Sequence, residues 1–201
     1  MNTVELEKEK RTVSHAQVVK LCLTGMMTAI VFAGNFLRVT MPVPLGGVTS
    51  FTLANILCAL SGLLLGPWWG GLAAGMGSAI FDLFDPLRIM EAPITFLTKG
   101  MYGVVAGAVY FKVFKGKSNY VNEAAASALA AVSYIAVYLV KCFFYNGLLV
   151  KGLTPDGAWL GVLEKAPSSV FNGVVAVIFA PILGVALHKA MKAAHLEISF
   201  T

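Results

Sequence analysis

Tyr134, Tyr138, Lys141 and Tyr145 follow one another at spacings of 4, 3 and 4 residues. At 3.6 residues per turn, those spacings put all four on one helix face. Aromatic planes around a cation offer stacking, hydrogen bonding and charge to a flat polar ligand. The same tyrosines could equally be packing or interfacial residues, since Tyr is enriched where membrane helices meet water. Lys99 and Tyr102, three residues apart, share a face of another segment. Ser168, Ser169 and Asn172 add hydroxyls and an amide to a third. The candidate ligand-binding residues are therefore Lys99, Tyr102, Tyr138, Lys141, Tyr145 and Asn172.

Carboxylates stand close to these groups. Asp82, Asp85 and Glu91 flank or end apolar stretches, and Lys99 and Lys141 lie inside them. A charge at membrane depth is costly and normally faces a partner or a cavity. Two readings fit: a structural ion pair, such as Asp82 with Lys99, or a polar substrate pocket.

Catalytic chemistry is poorly served. Asp82-x-x-Asp85 begins like a metal-binding D-x-x-D motif, but Pro86, Leu87 and Arg88 follow instead of further Gly and Asp residues. His15, His188 and His195 lie towards the termini and cannot meet the outer carboxylates. The chain has no Ser-His-Asp set, no H-E-x-x-H and no G-x-x-x-x-G-K-[ST] nucleotide loop. No catalytic residue, metal or cofactor is expected. Cys22, Cys58 and Cys142 are far apart and odd in number, and read as packed free thiols.

The elements that must position these residues are membrane helices. Of 201 residues, 58% are apolar and 12% charged, against about 25% charged in a soluble domain. Mean hydropathy is +0.79. At roughly 20 residues per span, six spans use about 120 residues and leave about 80 for loops and ends. The expected fold is an all-α integral membrane bundle of six helices, over 18–37, 51–65, 68–84, 94–114, 123–149 and 166–191. Gly66-Pro67 separates the second from the third. Residues 1–17 form a polar lead-in, 18–191 the membrane domain and 192–201 a tail. The segment 38–50, with two prolines and Gly46-Gly47, reads as a loop long enough to close over a ligand. No strand pattern stands out.

Nine Lys and Arg residues fall at the two ends and in the loop between helices 4 and 5, against four in the other loops. The positive-inside rule then places both termini in the cytoplasm of a multi-pass cell-membrane protein. The net charge of +5 is explained by topology and by anionic lipid, without nucleic acid.

In the first helix Gly25, Ala29 and Ala33 recur every four residues. Such a stripe permits close backbone approach, either within the bundle or to another subunit. The run from Leu65 to Ala79 is rich in Gly and Ala and suits tight helix packing.

Several of these stretches together carry a likeness to a known family. They are Leu64-Leu65-Gly66-Pro67 with Gly70, then Gly75-x-Gly77-Ser78-Ala79-x-x-Asp82-Leu83, then Lys99-Gly100-x-x-Gly103. Their order resembles that in the substrate-binding S components of energy-coupling-factor (ECF) vitamin transporters. The nearest relatives in kind are the riboflavin, hydroxymethylpyrimidine and pyridoxine binders. Gly25, Ala29 and Ala33 match the family's small-residue docking motif, with Gly in place of the first Ala.

The resemblance implies six helices with both termini inside. It implies a vitamin-like solute bound near the outer face, under the loop between helices 1 and 2. It also implies docking through helix 1 onto a membrane coupling subunit that carries two ATPase subunits. A pyridoxine- or hydroxymethylpyrimidine-like heterocycle is the first expectation for the ligand, with riboflavin next. A self-sufficient ion- or proton-coupled carrier using Asp82 and Glu91 is the alternative. A metal-dependent lipid enzyme using Asp82 and Asp85 comes third.

Overall fold

A computed structural model describes residues 3–42, 48–86, 88–150, 152 and 154–193, with side chains outside 3–16, 40–42 and 48–49. Among the described residues, five helices are long and apolar enough to cross a membrane. Helix α1 (Thr3–Phe36) leads into strands β1 (Arg38–Pro42) and β2 (Val48–Thr52). Then come α2 (Ala54–Phe84), α3 (Ala92–Ala108), α4 (Tyr120–Lys141) and α5 (Pro155–Ala193). Widened π-helical turns, 109–113 and 142–150, extend α3 and α4.

Helix α2 folds back on itself. Gly66 has φ 79° and breaks the helix, and Pro67 follows it. Nine residues of straight helix would span about 13.5 Å, yet Ser61 Oγ donates to the Gly70 carbonyl at 2.9 Å. The two limbs are therefore antiparallel. The positive φ favours Gly, the residue with no Cβ penalty there.

Both limbs of α2 form the core. Leu63, Leu65, Ala73 and Ala74 are almost fully buried, while much of α4 and α5 exposes large apolar side chains. The outward faces of those helices are apolar because lipid, not water, is their solvent. Glycine lets α2 and α3 approach backbone to backbone. A Cβ on Gly103 would stand 2.8 Å from the Gly70 carbonyl oxygen, and one on Gly75 2.8 Å from that of Phe96. The small-residue run thus packs tightly, as its composition predicts.

Two expectations need correction. The segment after α1 is a two-stranded antiparallel hairpin, with Arg38 opposite Thr52 and Val39 opposite Phe51. Its β-branched and aromatic residues favour extended backbone, but five-residue strands are too short to show a clear alternation. The Gly46-Gly47 pair lies outside the described residues. The last helix starts at Pro155 rather than near 166. Thr154 caps it, accepting from the Gly157 N–H at 3.4 Å, and Pro155 and Asp156 suit its first turn. Thr-Pro-Asp is a helix-start signal that sequence analysis read as loop.

Candidate functional site

Three connections that lie far apart in sequence meet at one end of the bundle. Arg38, at the start of the hairpin, lies 3.3 Å from Asp85 at the end of α2. Lys141, ending α4, lies 2.8 Å from Glu91 before α3. The Tyr145 hydroxyl donates to the Met90 carbonyl at 2.8 Å. These contacts enclose a polar cavity reached by side chains from every helix and from the hairpin.

Lys99 is the central cation. Helix α3 holds it about two turns from its start, and the residue is 7% exposed. It donates to the Asn55 side-chain carbonyl. It also sits 5.0 Å above the Tyr134 ring, within cation–π range. Tyr134 and Tyr138 line the cavity and stack 5.7 Å apart. The tyrosine face of α4 is thus an aromatic wall beside a buried ammonium group.

Asn172 closes another side. Its Oδ1 accepts from the Thr52 N–H at 3.1 Å, and its Nδ2 donates to the Ser50 carbonyl at 2.8 Å. One amide therefore ties β2 to α5 at the cavity. Asn146 donates to Glu91 at 3.1 Å, next to Lys141.

Of the six expected ligand-binding residues, Lys99, Tyr138, Lys141 and Asn172 line the cavity. Tyr102 does not. It is fully buried and stacks behind Tyr134, with ring centroids 5.1 Å apart. Tyr145 also lies outside the lining and anchors the Met90 carbonyl instead. Asp82 does not pair with Lys99, because Arg88 lies 3.7 Å from it and is its partner. Asn55, Arg88, Asn146 and Lys165 also line the cavity and were not among the expected residues. Only a polar residue inside an apolar helix, as at Asn55, could have signalled one.

At the opposite end, Glu123 is fully buried and lies 3.1 Å from His188. Ser118 donates to the same carboxylate at 3.0 Å. Among the described residues, no group of three or more His, Cys, Asp and Glu could hold a metal ion.

On α1, Gly25, Ala29 and Ala33 all face outward from the bundle. A Cβ on Gly25 would meet nothing within 4 Å. Of the two readings of this stripe, packing inside the bundle does not hold.

A helical membrane bundle with a polar cavity at one end, ringed by cations, amides and tyrosines, is the architecture of a protein that binds a solute. Residues 15–189 match the family model for the ECF-type riboflavin transporter S component, and the chain belongs to that family. It is a substrate-binding subunit, not an enzyme. Two solved structures share the fold. One is described as the S component of a bacterial ECF transporter, with TM-score 0.62 and 19% identity, covering 88% of this chain and 99% of that one. The other is the S component for biotin from an ECF-type ABC transporter, with TM-score 0.58 and 16% identity, covering 83% and 91%. A comparison with curated protein sequences returns no match.

Proposed function

We propose that this chain captures a small vitamin-like solute in the cavity at the outer face of the cell membrane. It delivers that solute together with a membrane coupling subunit and two ATPase subunits. In this reading the two limbs of α2 count as separate passes, which makes six with both termini cytoplasmic. The excess of Lys and Arg at the ends and in the 115–122 region supports that orientation.

The observation that carries the reading is the buried polar cavity, with Lys99 over Tyr134 and with Asn172 holding the hairpin at its side. Membrane bundles normally exclude such a concentration of polar groups, and a bound solute gives it a purpose. The stacked tyrosines suit a flat heterocycle of the pyridoxine or hydroxymethylpyrimidine type, with riboflavin next. The hairpin acts as the cover, since Ser50 and Thr52 line the cavity. The outward stripe of Gly25, Ala29 and Ala33 supports docking to the coupling subunit. Without a nucleotide-binding loop, the chain needs partners to use ATP.

Co-expression tests the reading. The solute retained by the purified chain is identified by mass spectrometry, and its uptake is measured with and without the coupling subunit and ATPases. Uptake is expected only with all of them, and binding by the chain alone. Uptake by the chain alone would make it a self-sufficient carrier.

A further inference from the structure

The charges around the cavity do not balance. Asp82 and Glu91 are the carboxylates that line it, Asp85 contacts the lining residues Arg38 and Arg88, and each of the three faces a cation. Arg88 lies 3.7 Å from Asp82 and 4.0 Å from Asp85, Arg38 3.3 Å from Asp85, and Lys141 2.8 Å from Glu91. Two cations that line the cavity remain, Lys99 and Lys165. Among the described residues, Lys99 forms no ion pair, and Lys165 has no carboxylate within 4.0 Å, although its charge reaches Glu91, which Lys141 already pairs.

Lys99 is more than nine-tenths buried. Its neighbours, the Asn55 carbonyl and the Tyr134 ring, supply dipole and quadrupole but no negative charge. A desolvated cation without a counter-charge is costly, and the cost falls when an anion arrives. Ser169 is a second, independent sign. It is 4% exposed, lines the same cavity, and its hydroxyl has no hydrogen-bond partner. Four residues after Lys165, it shares that residue's face of α5. Two surplus cations, one of them buried, and an idle hydroxyl form a receptor for an oxyanion.

We infer that the ligand of this cavity carries a carboxylate or phosphate group, neutralised by Lys99 and Lys165 and hydrogen-bonded by Ser169. The inference rests on the solute-binding reading above and narrows it to acidic solutes. Neutral riboflavin and pyridoxine would leave both cations unmatched.

Matched pairs of probes test it: nicotinate against nicotinamide, pyridoxine 5′-phosphate against pyridoxine, and riboflavin 5′-phosphate against riboflavin. Binding to the purified full-length chain is measured by thermal stabilisation and titration. The solute released when the unsupplemented protein is denatured is identified by mass spectrometry. The acidic member of at least one pair, or an acidic released solute, is expected to bind. The nicotinate pair reports a carboxylate and the other two a phosphate. Lys99→Gln and Lys165→Gln should each weaken that binding by about ten- to 150-fold. Ser169→Ala provides a milder variant should Lys99→Gln fail to fold.

A neutral probe that binds as tightly as its acidic partner overturns the inference and leaves the solute-binding reading standing. So does a released solute with no acidic group, or acid binding that survives in all three variants. If no probe binds and nothing is released, the inference falls, and the co-expression experiment decides the solute-binding reading separately.

Discussion

Lys141 and Glu91 are 50 positions apart in sequence and 2.8 Å apart in space. Lys141→Ala strands a partly buried carboxylate and removes a cation from the cavity wall. Asn172→Ala frees the Thr52 N–H and the Ser50 carbonyl and loosens the hairpin. Each unmet hydrogen bond in such surroundings costs on the order of 1–3 kcal/mol. Both variants are therefore expected to bind the retained solute roughly five- to 150-fold more weakly in titrations. Unchanged affinity in both would place the ligand elsewhere. Asp82 is a separate case, because Arg88 is its partner. In thermal unfolding, Asp82→Asn and Arg88→Gln should be non-additive, whereas Asp82→Asn and Lys99→Gln should add. Coupling between Asp82 and Lys99 instead would restore the ion pair that sequence analysis considered.

At the scale of elements, the α2–α3 contact depends on absent side chains. Gly103 faces the Gly70 carbonyl, where a Cβ would stand 2.8 Å away. Gly25 faces open space. Gly103→Val should therefore destabilise the bundle, by about 1–3 kcal/mol as for other overpacked cores, while Gly25→Ala, with room for its Cβ, should not lower melting in detergent and should raise it slightly. Equal melting of both variants would mean that the helices separate more readily than this packing implies. The fold-back at Gly66 was legible because Gly-Pro interrupts an apolar run. The hairpin was not, because its pairing joins residues across a connection whose local composition also suits a loop. The early start of α5 was legible in Thr154-Pro155-Asp156, but the glycines and prolines around it were read as loop.

For the whole molecule, the question is which surface meets a partner. The α1 stripe is small, outward and uncovered. Ala29→Trp and Ala33→Trp should block close helix approach. The expected outcome is loss of co-purification with the coupling subunit, with solute affinity and melting temperature unchanged. Wild-type pull-down by both variants would move docking to another face. The stripe faces outward, whereas α1 reaches the cavity through Asn35, so docking and solute binding can be separated by mutation.

Sequence alone determined the solvent of this protein and named four of the residues that line its cavity, Lys99, Tyr138, Lys141 and Asn172. Composition, apolar run lengths and Gly-Pro breaks act locally, so a membrane bundle and its main interruptions can be read without knowing any contact. The family followed from short motifs in α2 and α3 for the same reason. Only the tertiary structure decided who pairs with whom. Helix rotation and depth placed Tyr102 behind Tyr134, gave Asp82 to Arg88, and drew Tyr145 out of the cavity lining. They also left Lys99 and Lys165 without a carboxylate within 4.0 Å. Such pairings depend on where separate elements come to rest in space, and hydropathy and spacing do not encode that.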